Sequence, residues 1–273
     1  LQHVGAHVVY GVVGYKTHAK MLLIVRREDA VQPGASGLRN YAHLATGNYH
    51  PRTARLYTDY GLLTADPAIC KDVHAVFLQL TSLGKVSKLN RLLQSPFTLA
   101  QGMHERIERE IAQAAKGKKA HIIAKMNALV EPEMIQKLYL ASQAGVRIDL
   151  IVRSMCSLRP GVPGLSENIR VRSIVGRFLE HHRAFYFANG GNPELWLSSA
   201  DWMERNLFRR VEIAFPILDK KLRERIVEQL HGYLADTAQT WILQPDGTYV
   251  REAAEPGAKG IQAQLLEEIV GGG

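Results

Sequence analysis

Short apolar runs and amphipathic stretches alternate along the chain, and the alternation predicts strands and helices in turn. Residues 8–13 and 19–25 are short, apolar and β-branched, which predicts two strands. Residues 26–40 combine charges with Pro33, Gly34 and Gly37, the composition of an exposed loop. Strands are predicted again over 41–45 and 56–63. Asp66 followed by Pro67 marks a helix start, since aspartate caps free N–H groups and proline presets φ. That helix is predicted to about Gly84, with a connector over 85–98. A helix over 103–116 is stopped by Gly117. A strand over 120–124, a helix over 132–144 closed by Gly145 and a strand over 146–152 form a βαβ unit, hence a locally parallel sheet. A Pro/Gly-rich loop over 154–168 precedes strands at 169–175, 182–187, 195–197 and 211–215. Asp219 caps a basic helix running to about Tyr233, and the tail ending in Gly271, Gly272 and Gly273 is expected to fray.

The pattern repeats. Val12-Val13-Gly14-Tyr15-Lys16-Thr17-His18-Ala19-Lys20 aligns with Val175-Gly176-Arg177-Phe178-Leu179-Glu180-His181-His182-Arg183 at an offset of 163. Further on, Thr46-Gly47-Asn48-Tyr49 aligns with Ser199-Ala200-Asp201-Trp202 at an offset of 153. The second offset also pairs Asp59 with Glu212, Asp66 with Asp219, and the helix residues Ile69, Val73, Phe77 and Leu80 with Leu222, Ile226, Leu230 and Tyr233. One longer loop in the first copy, near residues 26–40, accounts for the change of ten. Matching blocks in one order predict a duplicated fold. The second copy has its βαβ unit before its histidine; the first has only 17 residues there, so its counterpart is expected upstream of Leu1, in a longer protein. Residues 1–90 are therefore expected to be the C-terminal part of a first domain, truncated at its N-terminus, and 91–273 a second.

Composition narrows the class. The 273 residues are 46% hydrophobic and 22% charged, an ordinary globular mixture. A formal charge of +8 favours anionic partners: nucleic acid, anionic lipid, nucleotide or polyphosphate. Cys70 and Cys156 show neither metal spacing nor a disulfide framework, which suits a reducing cytoplasm. No apolar run approaches the roughly 20 residues of a membrane span, and no signal peptide is visible.

In a strand, residues i and i+2 share a face. His18 with Lys20, and His181 with Arg183, are thus expected to present an imidazole and a cation together. Each copy adds a small polar turn, Thr46-Gly47-Asn48 or Ser198-Ser199-Ala200-Asp201, whose hydroxyls, amides and N–H groups suit phosphate oxygens. Facing halves would make a site for phosphoryl transfer in two steps, with one histidine attacking phosphorus and the other protonating the leaving oxygen. His43, on a strand expected beside His18, reads either as a site residue or as a hydrogen-bonded sheet histidine. His182 is expected to point away from His181. Lys125 and Arg153 follow predicted strands, where open α/β sheets collect ligands; each reads as a phosphate ligand or an ordinary strand-end charge. Tyr57 reads as a base-stacking ring or a packing residue, and Lys220, Lys221, Arg223 and Arg225 as a solvated helix face.

The paired histidine motifs resemble the phospholipase D superfamily, an α/β fold of duplicated mixed sheets flanked by helices, with the active site between the halves. Longer strings resemble the polyphosphate kinase family. They are Tyr15-Lys16-Thr17-His18-Ala19-Lys20, Tyr41-Ala42-His43-Leu44-Ala45-Thr46-Gly47-Asn48-Tyr49 and Thr53-Ala54-Arg55-Leu56-Tyr57-Thr58-Asp59. The second copy adds Val152-Arg153-Ser154-Met155-Cys156-Ser157-Leu158, Arg177-Phe178-Leu179-Glu180-His181 and Leu197-Ser198-Ser199-Ala200-Asp201-Trp202-Met203. The resemblance covers roughly residues 5–235. It implies His18 as phosphohistidine, Tyr57, Arg153 and His181 as ATP contacts, and His181 as the second catalytic group. Lys20, His43, Asn48, Lys125 and Ser199 complete the expected ATP- and phosphate-binding set. It also implies Mg²⁺, ATP/ADP and polyphosphate rather than nucleic acid, a dimer or tetramer, and peripheral membrane association in a bacterial cytoplasm. In such enzymes two arginines near the metal and two further domains lie N-terminal to this region, so no metal ligand is expected here and activity is expected of the longer protein. Where phospholipase D-like enzymes carry aspartate five residues after the lysine, this chain has Val25, and Arg183 stands where a second lysine is usual. Both departures disfavour the rival reading of a phosphodiesterase or phosphatidyltransferase. A second rival is a non-catalytic polyanion-binding fragment.

Overall fold

Asp66 accepts a hydrogen bond from the Ile69 N–H at 2.9 Å, and Asp219 does the same for Leu222, so both helix starts that the sequence marks are built by their caps. The computed structural model describes residues 1–28, 37–82, 88–254 and 256–271. Parts of the predicted 26–40 loop, the predicted helix end at Gly84 with the start of the connector, and Gly272 and Gly273 lie outside these residues.

The first half comprises β1 (Lys16–Thr17), β2 (Lys20–Arg27), β3 (Leu38–Ala45), α1 (Pro51–Leu56), β4 (Tyr57–Thr58), β5 (Gly61–Thr64) and α2 (Pro67–Ser82). The second opens with β6 (Leu93–Ser95), α3 (Leu99–Ala115), β7 (His121–Met126), α4 (Pro132–Gln143), β8 (Arg147–Val152) and β9 (Ile169–Ile174). It continues with β10 (Leu179–Glu180), β11 (Arg183–Phe187), β12 (Glu194–Ser198), α5 (Glu204–Phe208), β13 (Arg210–Pro216) and α6 (Lys220–Ala235). Last come β14 (Thr240–Leu243), β15 (Tyr249–Arg251) and α7 (Ile261–Gly271).

The strands form a large mixed sheet in the order β1-β13-β12-β11-β7-β8-β9-β14-β15, with β6 also on β13, a three-stranded sheet β2-β3-β5, and the ribbon β10-β4. The predicted βαβ unit is present, since β7 and β8 pair in parallel. The repeat is written into the register. Lys20 faces Ala45 and Ala45 faces Gly61, and at the offsets of 163 and 153 Arg183 faces Ser198 and Ser198 faces Ala214. A one-residue slip in either copy would invert every side chain, so agreement across both hairpins fixes the correspondence residue by residue.

Strand alternation divides the core. Ile122, Ala124, Phe185 and Phe187 face α3 and α4 on one side of the large sheet. Ile123, Ala184, Leu197, Ile213 and Phe215 face the other side, where Ile226, Leu230 and Tyr233 of α6 meet Ile69 and Val73 of α2 and Ala42 and Leu44 of β3. The two halves therefore share one buried cluster. Among the described residues no helix is long and apolar enough to cross a membrane.

Four readings change. Residues 26–27 and 38–40, predicted as loop, extend β2 and β3 and pair with each other across the hairpin. Residues 8–13 form no strand: they pair with no neighbour, and Tyr10 and Val13 are 91% and 92% exposed. The run 56–63 is broken into the end of α1, β4 and β5, because His50 caps a helical turn beginning at Pro51 and the chain leaves β4 at Asp59 to change sheets. The connector contains β6, which pairs with β13 through Ser95 and Glu212.

Candidate active site

Two short parallel ladders carry the motif histidines. β1 runs beside β13 with Lys16 opposite Arg210, and β10 runs beside β4 with Leu179 opposite Tyr57. At the repeat offsets these are one relation with the copies exchanged. The His18 and Ala19 N–H groups both donate to the Val211 carbonyl at 2.9 Å. The His182 N–H donates to the Thr58 carbonyl at 2.9 Å, and the His181 N–H to Thr58 Oγ1 at 3.2 Å. Each histidine of one half thus rests on a strand of the other.

The residue that follows each supporting position, Glu212 after Val211 and Asp59 after Thr58, is acidic. His18 Nδ1 lies 2.9 Å from Glu212 Oε2, and His181 Nδ1 lies 2.9 Å from both Asp59 oxygens. An ionised carboxylate only accepts, so Nδ1 carries the hydrogen in each ring and Nε2 keeps its lone pair. The carboxylates are held in turn. Glu212, fully buried, accepts from Ser199 Oγ at 2.5 Å and Asn206 Nδ2 at 2.6 Å. Asp59 accepts from Thr46 Oγ1 at 2.7 Å. Ser199 and Thr46, like Glu212 and Asp59, are repeat equivalents. A Cβ on Gly47 would sit 2.0 Å from Asp59 Oδ2, so the turn must bring bare backbone to that carboxylate. The hydroxyls read from sequence as phosphate ligands instead orient carboxylates, giving two hydroxyl–carboxylate–imidazole relays that cross between halves.

Cations lie between the relays. Lys20 is 7% exposed and its Nζ has no hydrogen-bond partner. It stands within electrostatic reach of Glu212 and Asp59, one from each relay, and of Arg183. Burial pulls its pKa down to about 8, against the opposing pull of Glu212. Arg183 grips Asp201 with Nε and Nη2 at 3.1 and 3.0 Å, and its Nη1 reaches His181 Nε2 at 3.2 Å and the Thr46 carbonyl at 3.4 Å. Burial, aided by Arg183, holds the His181 pKa below the ordinary imidazole value although Asp59 pulls it up. Tyr57 lays its ring 4.9 Å from that of His181. Arg153 donates from Nε to Asn127 Oδ1 at 3.0 Å, and Asn127 Nδ2 donates to the His181 carbonyl at 3.2 Å.

The remaining expected members differ in exposure and in partners. Lys125 is the penultimate residue inside β7, not past its end, and shares the face of Ile123. Its ammonium is buried against Glu180 Oε2 at 2.8 Å and the Tyr233 ring at 4.9 Å, so it props the floor rather than offering a charge to solvent. Ser199 is fully buried beneath Glu212. His43 shares the Lys20 face of the small sheet and is bound through Nδ1 to the Tyr49 hydroxyl at 2.8 Å. Asn48 is exposed on the turn after Gly47. His182 points away from His181 and is buried among Thr58, Tyr60 and Tyr233. Asp59, Glu212 and Asn206 received no role from sequence, although the 153-residue offset already paired the two acids.

An unpartnered ammonium with a pKa near 8 would make the binding of an anion at Lys20 depend on pH. Lys20 is charged below that value and neutral above it. Tripolyphosphate binding to the intact protein should therefore weaken as pH rises through about 8, and Lys20→Arg, which cannot lose its charge in this range, should flatten that limb. Titration calorimetry across pH checks this; an unchanged limb in Lys20→Arg contradicts it. Among the described residues no three His, Cys, Asp or Glu side chains gather as a metal-binding group.

A family model described as polyphosphate kinase C-terminal domain 1 matches residues 1–86, and one described as polyphosphate kinase C-terminal domain 2 matches residues 92–264. The polyphosphate kinase of Pseudomonas aeruginosa is 58% identical over 271 residues, 98% of this chain and 38% of its own length. That of Burkholderia vietnamiensis is 61% identical over 270 residues, 98% of this chain and 39% of its own length. The crystal structure of polyphosphate kinase from Porphyromonas gingivalis superposes with a TM-score of 0.87 at 37% identity, covering 95% of this chain and 40% of that one. Phosphatidylserine synthase from Haemophilus influenzae, 10% identical with a TM-score of 0.52 over 84% of this chain and 66% of that one, shares the duplicated α/β fold. The chain spans less than two fifths of the length of the curated relatives described here, yet matches them almost from end to end of itself. With both C-terminal family models covering it in order, the chain belongs to the polyphosphate kinase family.

Proposed function

We propose that the intact protein moves the γ-phosphoryl group of ATP to the end of a polyphosphate chain through a covalent intermediate on His18. The observation that carries this reading is the pair of crossed relays around an unpartnered, buried Lys20. Glu212 holds the His18 Nδ1–H, so Nε2 is the free nucleophilic atom. At His181 the same lone pair already receives the Arg183 N–H, which makes His18 the better nucleophile of the two. Attack by His18 Nε2 on the γ-phosphorus forms an N–P bond and breaks the bond to the β–γ bridging oxygen, releasing ADP. Lys20, Arg153 and Arg183 spread the charge on the transferring group, where most catalysis of phosphoryl transfer resides.

His181 rests neutral because burial and Arg183 hold its pKa down. The charge of an arriving triphosphate raises it, and the proton taken up then passes to the leaving oxygen. In the second step His181 receives a proton from the incoming polyphosphate end, whose oxygen attacks the N–P phosphorus and frees His18. Both steps reverse when ADP is plentiful. The described residues offer no metal-binding group for Mg²⁺, and no step here runs through it. A homo-oligomer and a peripheral membrane contact belong to the same reading.

Incubating the intact protein with γ-labelled ATP should leave protein-bound phosphate that is labile in acid, stable in alkali and discharged by ADP or polyphosphate. Turnover of a phosphodiester with no such label would instead identify the phosphodiesterase rival.

A further inference from the structure

α7 stands outside the duplicated pattern, yet one of its side chains reaches the segment that carries His181. Gln262 is 4% exposed and uses both ends of its amide. Its Oε1 accepts the Phe178 N–H at 2.8 Å, and its Nε2 donates to the Phe178 carbonyl at 2.8 Å and to Glu180 Oε1 at 2.6 Å. The pairing with residue 178 is that of a neighbouring strand, supplied by a side chain. A Cβ on Gly176 would lie 2.5 Å from Gln262 Oε1, so the loop comes as close as a glycine permits. The other Glu180 oxygen takes Lys125 Nζ at 2.8 Å and Thr58 Oγ1 at 3.0 Å, and Thr58 Oγ1 is also the acceptor of the His181 N–H. α7 is itself fixed at its start, where the Ile261 N–H donates to Asp236 Oδ2 at 2.5 Å. In the first copy the positions equivalent to Phe178 and Glu180 are Tyr15, 38% exposed, and Thr17, also exposed.

We propose that Gln262 is a positioning residue: α7 latches the 176–181 segment from behind and so sets the angle at which His181 meets Asp59 and the transferring phosphoryl group. The catalytic part of this inference rests on the function proposed above; the structural part does not. Two halves built alike thereby differ in how firmly their histidines are held.

Peptide-resolved amide hydrogen exchange on the intact protein separates the two parts. In Gln262→Leu the peptide spanning 176–182 should lose at least about tenfold in protection, as expected when two backbone hydrogen bonds are removed from a local unit. The peptide spanning 12–20 should exchange as before. The rate of polyphosphate formation should fall about 10- to 100-fold through kcat. Gln262→Asn, which keeps the amide one methylene short, should recover part of both, and Val270→Ser, 75% exposed on α7, should change neither. If Gln262→Leu does not fold, Gln262→Asn takes its place with the same two readouts and smaller shifts. Unchanged protection at 176–182, or equal loss at 12–20, overturns the latch. A wild-type protein that shows the protection difference but takes no label from ATP overturns the function while leaving the latch in place.

Discussion

His18→Ala should eliminate protein-bound phosphate after incubation with γ-labelled ATP, and polyphosphate formation should fall on the order of 10⁴-fold or more. His181, the repeat equivalent of His18, has its Nε2 engaged by Arg183 and is not expected to take over the N–P bond. His181→Ala should behave differently. The His18 relay through Glu212, Ser199 and Asn206 does not pass through residue 181. Label should still form, slowly, with loss of the acid–base group costing about 10²–10⁴-fold in turnover. Single-turnover labelling followed by acid-lability analysis reads both variants. Equal label in His18→Ala and wild type defeats the assignment of the nucleophile, and complete loss of label in His181→Ala defeats the division of roles.

Lys125→Met should cost stability and spare nucleotide binding. Removing one partner of a buried ion pair strands the other, here Glu180, at a cost of about 3–5 kcal/mol. In a protein of this size that is a fall in Tm of roughly 10 °C. Lys125→Met/Glu180→Gln should regain most of the loss, since the amide carries no charge, its oxygen can still accept from Gln262 and its N–H₂ can donate to Thr58 Oγ1. Thermal unfolding and ATP titration check the pair. A collapse of ATP affinity with unchanged Tm would return Lys125 to the phosphate site.

The fate of Lys125 shows how far sequence reaches. Its position after an apolar run suggested a strand end, but β7 extends to Met126 and alternation places residue 125 on the face of Ile123, inside the shared core. Period-2 counting contained that answer once the strand boundary was known. The duplication was fully legible, because a repeated fold repeats its caps, helix faces and motif spacings, and the hairpin registers follow the same offsets. The relays were half legible. Asp59 and Glu212 could be matched to each other, but which imidazole each serves depends on contacts 122 and 194 residues apart along the chain. Only the exchanged ladders β1-β13 and β4-β10 supply that information. Thr46 and Ser199 misled for a related reason: a hydroxyl on a polar turn suits phosphate and carboxylate alike, and the carboxylate that claims it comes from a distant strand. The strands and helix after residue 236 lay beyond the repeat, where no second copy drew attention to them.

In the proposed reaction Glu212, a residue of the second half, decides which nitrogen of the first-half His18 takes the phosphoryl group. Isomer-resolved mapping of the phosphorylated intact protein, by heteronuclear NMR of the trapped intermediate or of its digest, tests this directly. Phosphate on the Nε2 atom of residue 18 is the expected result, and phosphate on its Nδ1 atom or on residue 181 contradicts the crossed arrangement.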